Sequence, residues 1–312
     1  MIRIEKREYR GWPNAYFLSN DVVELVVLAD VGPRVVHYAL CGGENQFHEF
    51  ADQAGLCGGD DFRLYGGHRL WVWPEVERTY FPDNQPVDVV VTSTVATFTA
   101  PVESASPGTS LQKRMSIQLS EKGGHVQVDH SITNLASTPT QLAPWTPTAL
   151  RPGGRAILPF PPRAAMDKDH FQSVSPLTLW SFTDFTDSRW VLGQEFLQLI
   201  QQEKTTGRFR EQMSGLFNPS EWGIYVRSGS AFLKRASMVP HAQYPDFGCN
   251  FEVFTNSEFL ELETLGPIVN LQPGETTLHT EYWWVFDGVP PTTTEESIRS
   301  TILPLVAKSA HC

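Results

Sequence analysis

Three short stretches of this sequence gather side chains that could bind or transfer protons. The first is Tyr65-Gly66-Gly67-His68-Arg69-Leu70-Trp71-Val72-Trp73-Pro74-Glu75. Its glycines allow a sharp turn or a close backbone approach. Beyond them, strand alternation sends His68, Leu70, Val72 and Pro74 one way and Arg69, Trp71, Trp73 and Glu75 the other. An Arg, two Trp and a Glu on one face suit a polyhydroxylated ligand. A core strand with charges at its ends would read the same. The second stretch is Phe259-Leu260-Glu261-Leu262-Glu263-Thr264-Leu265-Gly266-Pro267. Alternation puts Glu261 and Glu263 on one face, about 7 Å apart. If desolvated, the two carboxyls would raise each other's pKa, as a general base requires. On an edge strand the same face would merely meet solvent. The third is Pro240-His241-Ala242-Gln243-Tyr244-Pro245-Asp246. Its prolines mark a loop. His241, Tyr244 and Asp246 there could bind hydroxyls or move protons, or be ordinary surface polars.

The elements that must position these groups read as strands. Val22–Leu28 is a β-branched, nearly continuous run, as in a strand buried on both faces. Val87–Phe98, Leu111–Leu119 and His125–Ile132 follow, the last two joined by the hairpin signal Glu121-Lys122-Gly123-Gly124. Trp222–Val226 and Ala231–Leu233 flank Arg227-Ser228-Gly229-Ser230, a second hairpin. Cys249–Phe254, Phe259–Glu263 and His279–Phe286 complete the set, with a turn at Gln272-Pro273-Gly274-Glu275. Asp187–Gln202 fits either a helix or two short strands. One helix is clear: Thr292–Thr294 caps it, Glu295 and Glu296 suit its first turn, and Ile298, Ile302 and Leu303 form its apolar stripe. Pro304 should kink or end it. Gly42–Gly67 and Leu150–Ser175 read as long loops. Many strands with few helices predict a mainly β fold, a large antiparallel β-sandwich forming one domain over residues 1–312.

Composition narrows the function. The 312 residues are 41% hydrophobic and 19% charged, as in a globular protein. The net charge of −11 disfavours nucleic acid or an anionic membrane as partner. No apolar run approaches the roughly 20 residues that span a bilayer. The alternating start, Met1-Ile-Arg-Ile-Glu-Lys-Arg7, lacks the features of a signal peptide, so a cytoplasmic protein is expected. Cys41, Cys57, Cys249 and Cys312 form no CxxC pair and read as free thiols. The sequence carries no His-X-His, His-Glu-X-X-His or EF-hand spacing, no phosphate-binding loop and no Gly-X-Ser-X-Gly elbow. Gly58-Gly59-Asp60-Asp61 reads as an acidic loop. Neither a metal nor another cofactor is therefore expected. Aromatic residues make up 12% of the chain. Most should pack the core, and some could wall a cleft for sugar rings.

Taken in order, these stretches resemble the galactose mutarotase-like superfamily of aldose 1-epimerases and related carbohydrate-active proteins. The resemblance rests on Asp30-Val-Gly-Pro-Arg-Val-Val36, then Tyr65-Gly-Gly67 leading to Trp73-Pro74, then Ser131-Ile-Thr-Asn134, and finally Leu262-Glu263-Thr264 before Pro267. It spans about residues 20–287, and it is nearest to an uncharacterised bacterial subgroup with Gly-Gly-His-Arg-Leu-Trp and a late Glu-Leu-Glu strand. It implies an antiparallel β-supersandwich and a sugar or sugar derivative as small-molecule partner. It also implies that Glu263 is the base that removes the anomeric hydroxyl proton while an acid protonates the ring oxygen. In the epimerases that acid is a histidine. Here Tyr65 stands where one histidine precedes the Gly-Gly pair, and Leu142-Ala-Pro-Trp145 stands where the other follows the strand-end Asn. The expected site is thus Glu263 as base, His241 or His68 as acid, and Arg69, Trp71, Glu75, Trp145, Tyr244, Asp246 and Glu261 as binders. A sugar-binding protein without catalysis, or a glycan lyase or hydrolase on the same sandwich, are the alternatives.

Overall fold

The computed structural model describes residues 1–104, 110–121, 123–203 and 210–310. It is mostly β, and its strands form three antiparallel sheets. The Glu-Leu-Glu strand decides where the site lies. Leu260–Leu265 sits inside a seven-stranded sheet, between Phe251–Thr255 and Thr140–Leu150. That sheet runs Leu177–Leu179, Gln212–Leu216, Phe251–Thr255, Leu260–Leu265, Thr140–Leu150, Val269–Leu271, and Trp71–Trp73 also pairs with Thr140–Leu150. All six residues of Leu260–Leu265 are buried. The strand is therefore interior, and Glu261 and Glu263 do not face open solvent.

Behind this sheet lies a ten-stranded one, ordered Trp190–Leu192, Phe196–Ile200, Arg155–Pro159, Trp222–Arg227, Ser230–Ala236, Thr276–Asp287, Val126–Asn134, Leu111–Leu119, Val95–Thr99, Asp88–Val91. Leu260 and Leu262 join Phe251, Val253, Phe232 and Trp283 in the core that fills the space between the sheets. The four-stranded meander Arg3–Tyr9, Trp12–Ser19, Val23–Leu28, Arg34–Leu40 adds Leu18, Leu25 and Val27 to the same core. On the outer face of the large sheet, Ala231, Leu233 and Trp284 pack under Ile298, Ile302 and Val306 of the C-terminal helical run.

Most expected elements form within two residues of their sequence limits. Three readings change, and one left open is decided. Val87–Phe98 is two strands, Asp88–Val91 and Val95–Thr99, because Thr92 accepts from the Val95 N–H and closes a turn between them. Asp187–Gln202, open between a helix and two short strands, is the two strands Trp190–Leu192 and Phe196–Ile200. The stretch 150–175 is not all loop, since Arg155–Pro159 pairs on both edges. Pro304 neither ends nor breaks the helix: it falls in the first turn of Leu303–Ser309, where no N–H is needed, after a widened turn at Ile298–Ile302. The hairpin turn at 228–229 is as expected, with Ser228 and Gly229 both at positive φ. Lys122 of the other hairpin signal, and Cys312, lie outside the described residues. Cys41, Cys57 and Cys249 are free thiols. Among the described residues no helix is long and apolar enough to cross a membrane.

A polar network is sealed between the two large sheets. Lys234 Nζ reaches Glu281 Oε1 at 2.9 Å and also donates to the carbonyls of Thr146 and Leu262. All three ammonium hydrogens are thus used. Thr146 and Thr264 donate to the same carboxylate, and Trp283 Nε1 donates to its other oxygen. Burial alone would push Glu281 up, but Lys234 and the surrounding histidines outweigh it and hold its pKa far below the usual carboxylate range. Removing one partner of such a pair leaves a bare charge in the core. Lys234→Met should cost about 3–5 kcal/mol, read as a lower denaturant midpoint. An unchanged midpoint would show that Glu281 is not charged in the folded protein.

Candidate active site and its carboxyl pair

Three parts of the chain converge on the outer face of the seven-stranded sheet. The first is the Gly-Gly stretch. Tyr65, Gly66 and Gly67 all adopt positive φ. A side chain on Gly66 would meet the His48 carbonyl at 2.1 Å, and one on Gly67 the Val35 carbonyl at 2.0 Å. This close threading delivers Leu70, Trp71 and Val72 in alternation. Trp71 and Glu75 face a cavity, while Leu70 and Val72 enter an apolar cluster with Leu142 and Ile132. The second part is Leu260–Leu265, which presents Glu261 and Glu263, with Phe259 just before them. The third is Trp145, opposite Leu265 in the neighbouring strand.

The cavity holds about 360 Å³. Its walls are Phe62, Trp71, Tyr80, Trp145, Trp180, Phe182, Phe254 and Phe259, and its polar lining includes Glu75, Glu211, Glu261, Glu263 and Asn256. Trp145 Nε1 donates to Glu263 Oε2 at 2.5 Å. Tyr80 donates to Glu75. Trp71 Nε1 is buried without a hydrogen-bond partner. A larger cavity of about 730 Å³ lies by Tyr244, Phe217 and Phe247, but Tyr244 is its only titratable side chain.

Electrostatics single out the glutamates. Burial pushes Glu261 up to about 7, with Arg69 pulling against it and Glu75 adding to it. Burial and then the Glu261 charge push Glu263 well above the carboxylate range, opposed by the Trp145 hydrogen bond. Glu252, directly across the ladder from Glu263, is also raised, by burial and by Glu263 and Asp246. Gly215 faces Glu252 from the next strand and leaves room for it. Both carboxyls are thus raised above the ordinary range, and each for the same first reason, burial.

The structure unites Glu261, Glu263, Trp71, Glu75 and Trp145. Arg69 stands behind Trp71, its guanidinium 4.7 Å from the ring centroid and 3.3 Å from Asp83. Asp246 accepts from Trp73 Nε1 at 3.2 Å, and neither residue lines the cavity. Tyr244 lines the other cavity, its hydroxyl accepting from the Val239 N–H. His241 is exposed and outside the lining. His68 is fully buried on the opposite face of its segment, where its Nδ1 meets Thr148 and its Nε2 meets His130 at 2.8 Å. Burial holds its pKa well below 6.5. Neither expected acid reaches the cavity. His68, His130 and Glu281 bring ligand atoms within 4.8 Å of one another and could in principle hold a cation. Their hydrogen bonds to Thr148, the His279 carbonyl, Lys234 and Trp283 already satisfy them.

Several lining residues escaped the sequence reading. Phe62, Trp180 and Phe182 come from irregular segments with no periodicity to betray them. Glu252, buried across the ladder from Glu263 and outside the lining, carried a usable signal: it is the one charged residue in the strand Phe251–Thr255.

Among solved structures the chain is similar to a galactose mutarotase-like protein from Lactobacillus casei, with a TM-score of 0.57 and 11% identity over 88% of this chain and 100% of that one. It is also similar to a candidate aldose 1-epimerase from Klebsiella pneumoniae, with a TM-score of 0.56 and 11% identity over 98% of this chain and 87% of the other. A galactose mutarotase related enzyme from Lactobacillus acidophilus gives 0.55 and 10% over 90% and 100%. The fold is galactose mutarotase-like. No family model and no curated protein matches the sequence.

A stability test follows from the raised Glu261 carboxyl. Its folded pKa is about 7 against an ordinary 4.5. Between those values the unfolded chain has released a proton that the folded protein keeps, so stability falls as pH rises through this window. Glu261→Gln removes the penalty. It should raise the thermal midpoint at pH 8 and leave it unchanged at pH 4. An equal effect at both would mean that ionisation is not involved.

Proposed function

We propose that the protein binds a free sugar in this cavity and interconverts its anomers by general acid–base catalysis. The observation that carries the reading is the pair Glu261 and Glu263, neighbours on one strand face in an aromatic cavity, both raised by burial. The aromatic walls offer flat faces for the apolar side of a sugar ring. The galactose mutarotase-like fold is consistent with a sugar-related role.

The two carboxyls divide the work. Glu261, the more readily ionised, takes the proton of the anomeric hydroxyl. Glu263 gives its proton to the ring oxygen, and the ring C–O bond breaks to leave an open aldehyde. Rotation about the C1–C2 bond and the reverse transfers close the ring as the other anomer. This reverses the base role expected for Glu263 and dispenses with a histidine. The reason is physical: burial and the neighbouring charge keep Glu263 protonated. Trp145 occupies Oε2, which leaves Oε1 to carry the proton.

A sugar-binding protein without catalysis is the second reading. It is favoured by the absence of any histidine from the cavity lining among the described residues.

Anomeric exchange measured by NMR separates the two. Accelerated exchange should drop about 10²-fold or more in Glu263→Gln and in Glu261→Gln. The wild-type rate should climb as pH rises through about 7, where Glu261 loses its proton. Full turnover by Glu263→Gln would overturn the mechanism. Binding without acceleration would favour the second reading.

A further inference from the structure

The charge balance of the cavity narrows its ligand. Four carboxyl side chains line it, Glu75, Glu211, Glu261 and Glu263, and among the described residues no Lys, Arg or His does. Arg69 lies outside the lining, against Phe62 and Trp71; its Nη2 pairs with Asp83, while its Nε and Nη1 are buried without a hydrogen-bond partner. A neutral sugar needs donors and acceptors, but it does not need four acids around it. Keeping several carboxyls in one aromatic cavity is costly, as the raised Glu261 and Glu263 show. That cost falls when a cation enters.

The walls agree with a cation and also say which kind. Indole and phenyl faces attract ammonium groups, most strongly when both are desolvated. Trp71, Trp145, Trp180 and Phe259 supply such faces. A metal ion is a poorer occupant. Among the described residues, the trio of ligand atoms that gathers within 4.8 Å is His68, His130 and Glu281, behind the sheet. The cavity carboxyls do not converge on a point in that way. They are spread from the exposed rim, at Glu75 and Glu211, to the floor, at Glu261 and Glu263. That spacing suits an organic ammonium ion larger than a bare metal. The unpartnered Trp71 Nε1, on a residue 7% exposed, further calls for an oxygen acceptor from the ligand. An ammonium and hydroxyl oxygens on one small ring satisfy both demands.

We infer that the cavity selects a sugar carrying a free, protonated amino group, the carboxyls and aromatic faces receiving the ammonium and Trp71 Nε1 a ring hydroxyl. This rests on the sugar reading above and adds the substrate class.

Calorimetric or NMR titration of the full-length protein with glucosamine, N-acetylglucosamine and glucose tests it. Glucosamine should bind at least tenfold more tightly than either neutral sugar. Glu211→Gln, an exposed rim change that keeps shape, should weaken glucosamine severalfold and the neutral sugars much less. Equal or tighter binding of glucose or N-acetylglucosamine would overturn the inference, and so would no binding of glucosamine. The failures are separable. Tight glucosamine binding without faster anomeric exchange refutes the catalytic reading and keeps this one. Exchange on neutral sugars without amino selectivity does the reverse.

Discussion

A charge taken out of water must be paired or neutralised. The strand Leu260–Leu265 has buried charges on both of its faces, and the protein uses a different solution on each. On the core side, the Glu281 carboxylate stays ionised against Lys234, with Thr146, Thr264 and Trp283 filling its remaining hydrogen-bond positions. On the cavity side, Glu261 and Glu263 have no such cation in contact, and the cheaper course is to keep a proton. The first solution builds a rigid floor. The second leaves two raised carboxyls facing the cavity on top of it.

The two faces are mechanically linked. Lys234 donates to the carbonyls of Thr146 and Leu262, which belong to the two strands carrying Trp145 and Glu263. Thr264, between them, bonds both Glu281 and His279. The backbone under the carboxyl pair is thus pinned from behind, and Trp145 fixes Glu263 from the side. A proton donor must be held within hydrogen-bond reach of its target, and a pinned interior strand does this better than a loop. His241 sits on the kind of loop that does not.

Much of this was legible in the sequence because strand alternation is a strong code. The faces of 68–72 and 259–265 came out as alternation requires, and the hairpins and the mainly β architecture as their own signals indicate. What alternation cannot give is depth. Glu-Leu-Glu reads alike on an edge or an interior strand, and only the pairing with Phe251–Thr255 and Thr140–Leu150 shows it to be interior. His68 was placed on the correct side of its strand, but that side proved to be the sealed core. Lys234 and Glu281 lie 47 residues apart by number, and nothing local announces that they meet. The walls drawn from Phe62, Trp180 and Phe182 depend on how irregular segments cross the sheet, which composition does not encode.

The central claim is that Glu261 and Glu263 together retain a proton at neutral pH. Carbon-13 NMR of the side-chain carboxyls, in protein labelled at glutamate and assigned with Glu261→Gln and Glu263→Gln, reads this directly. The account predicts that the Glu261 signal titrates near pH 7, well above the ordinary value of 4.5, and that Glu263 titrates higher still. Two signals that both move near pH 4.5 would mean that the pair is solvated and ionised, and the acid–base reading of the cavity would fall with it.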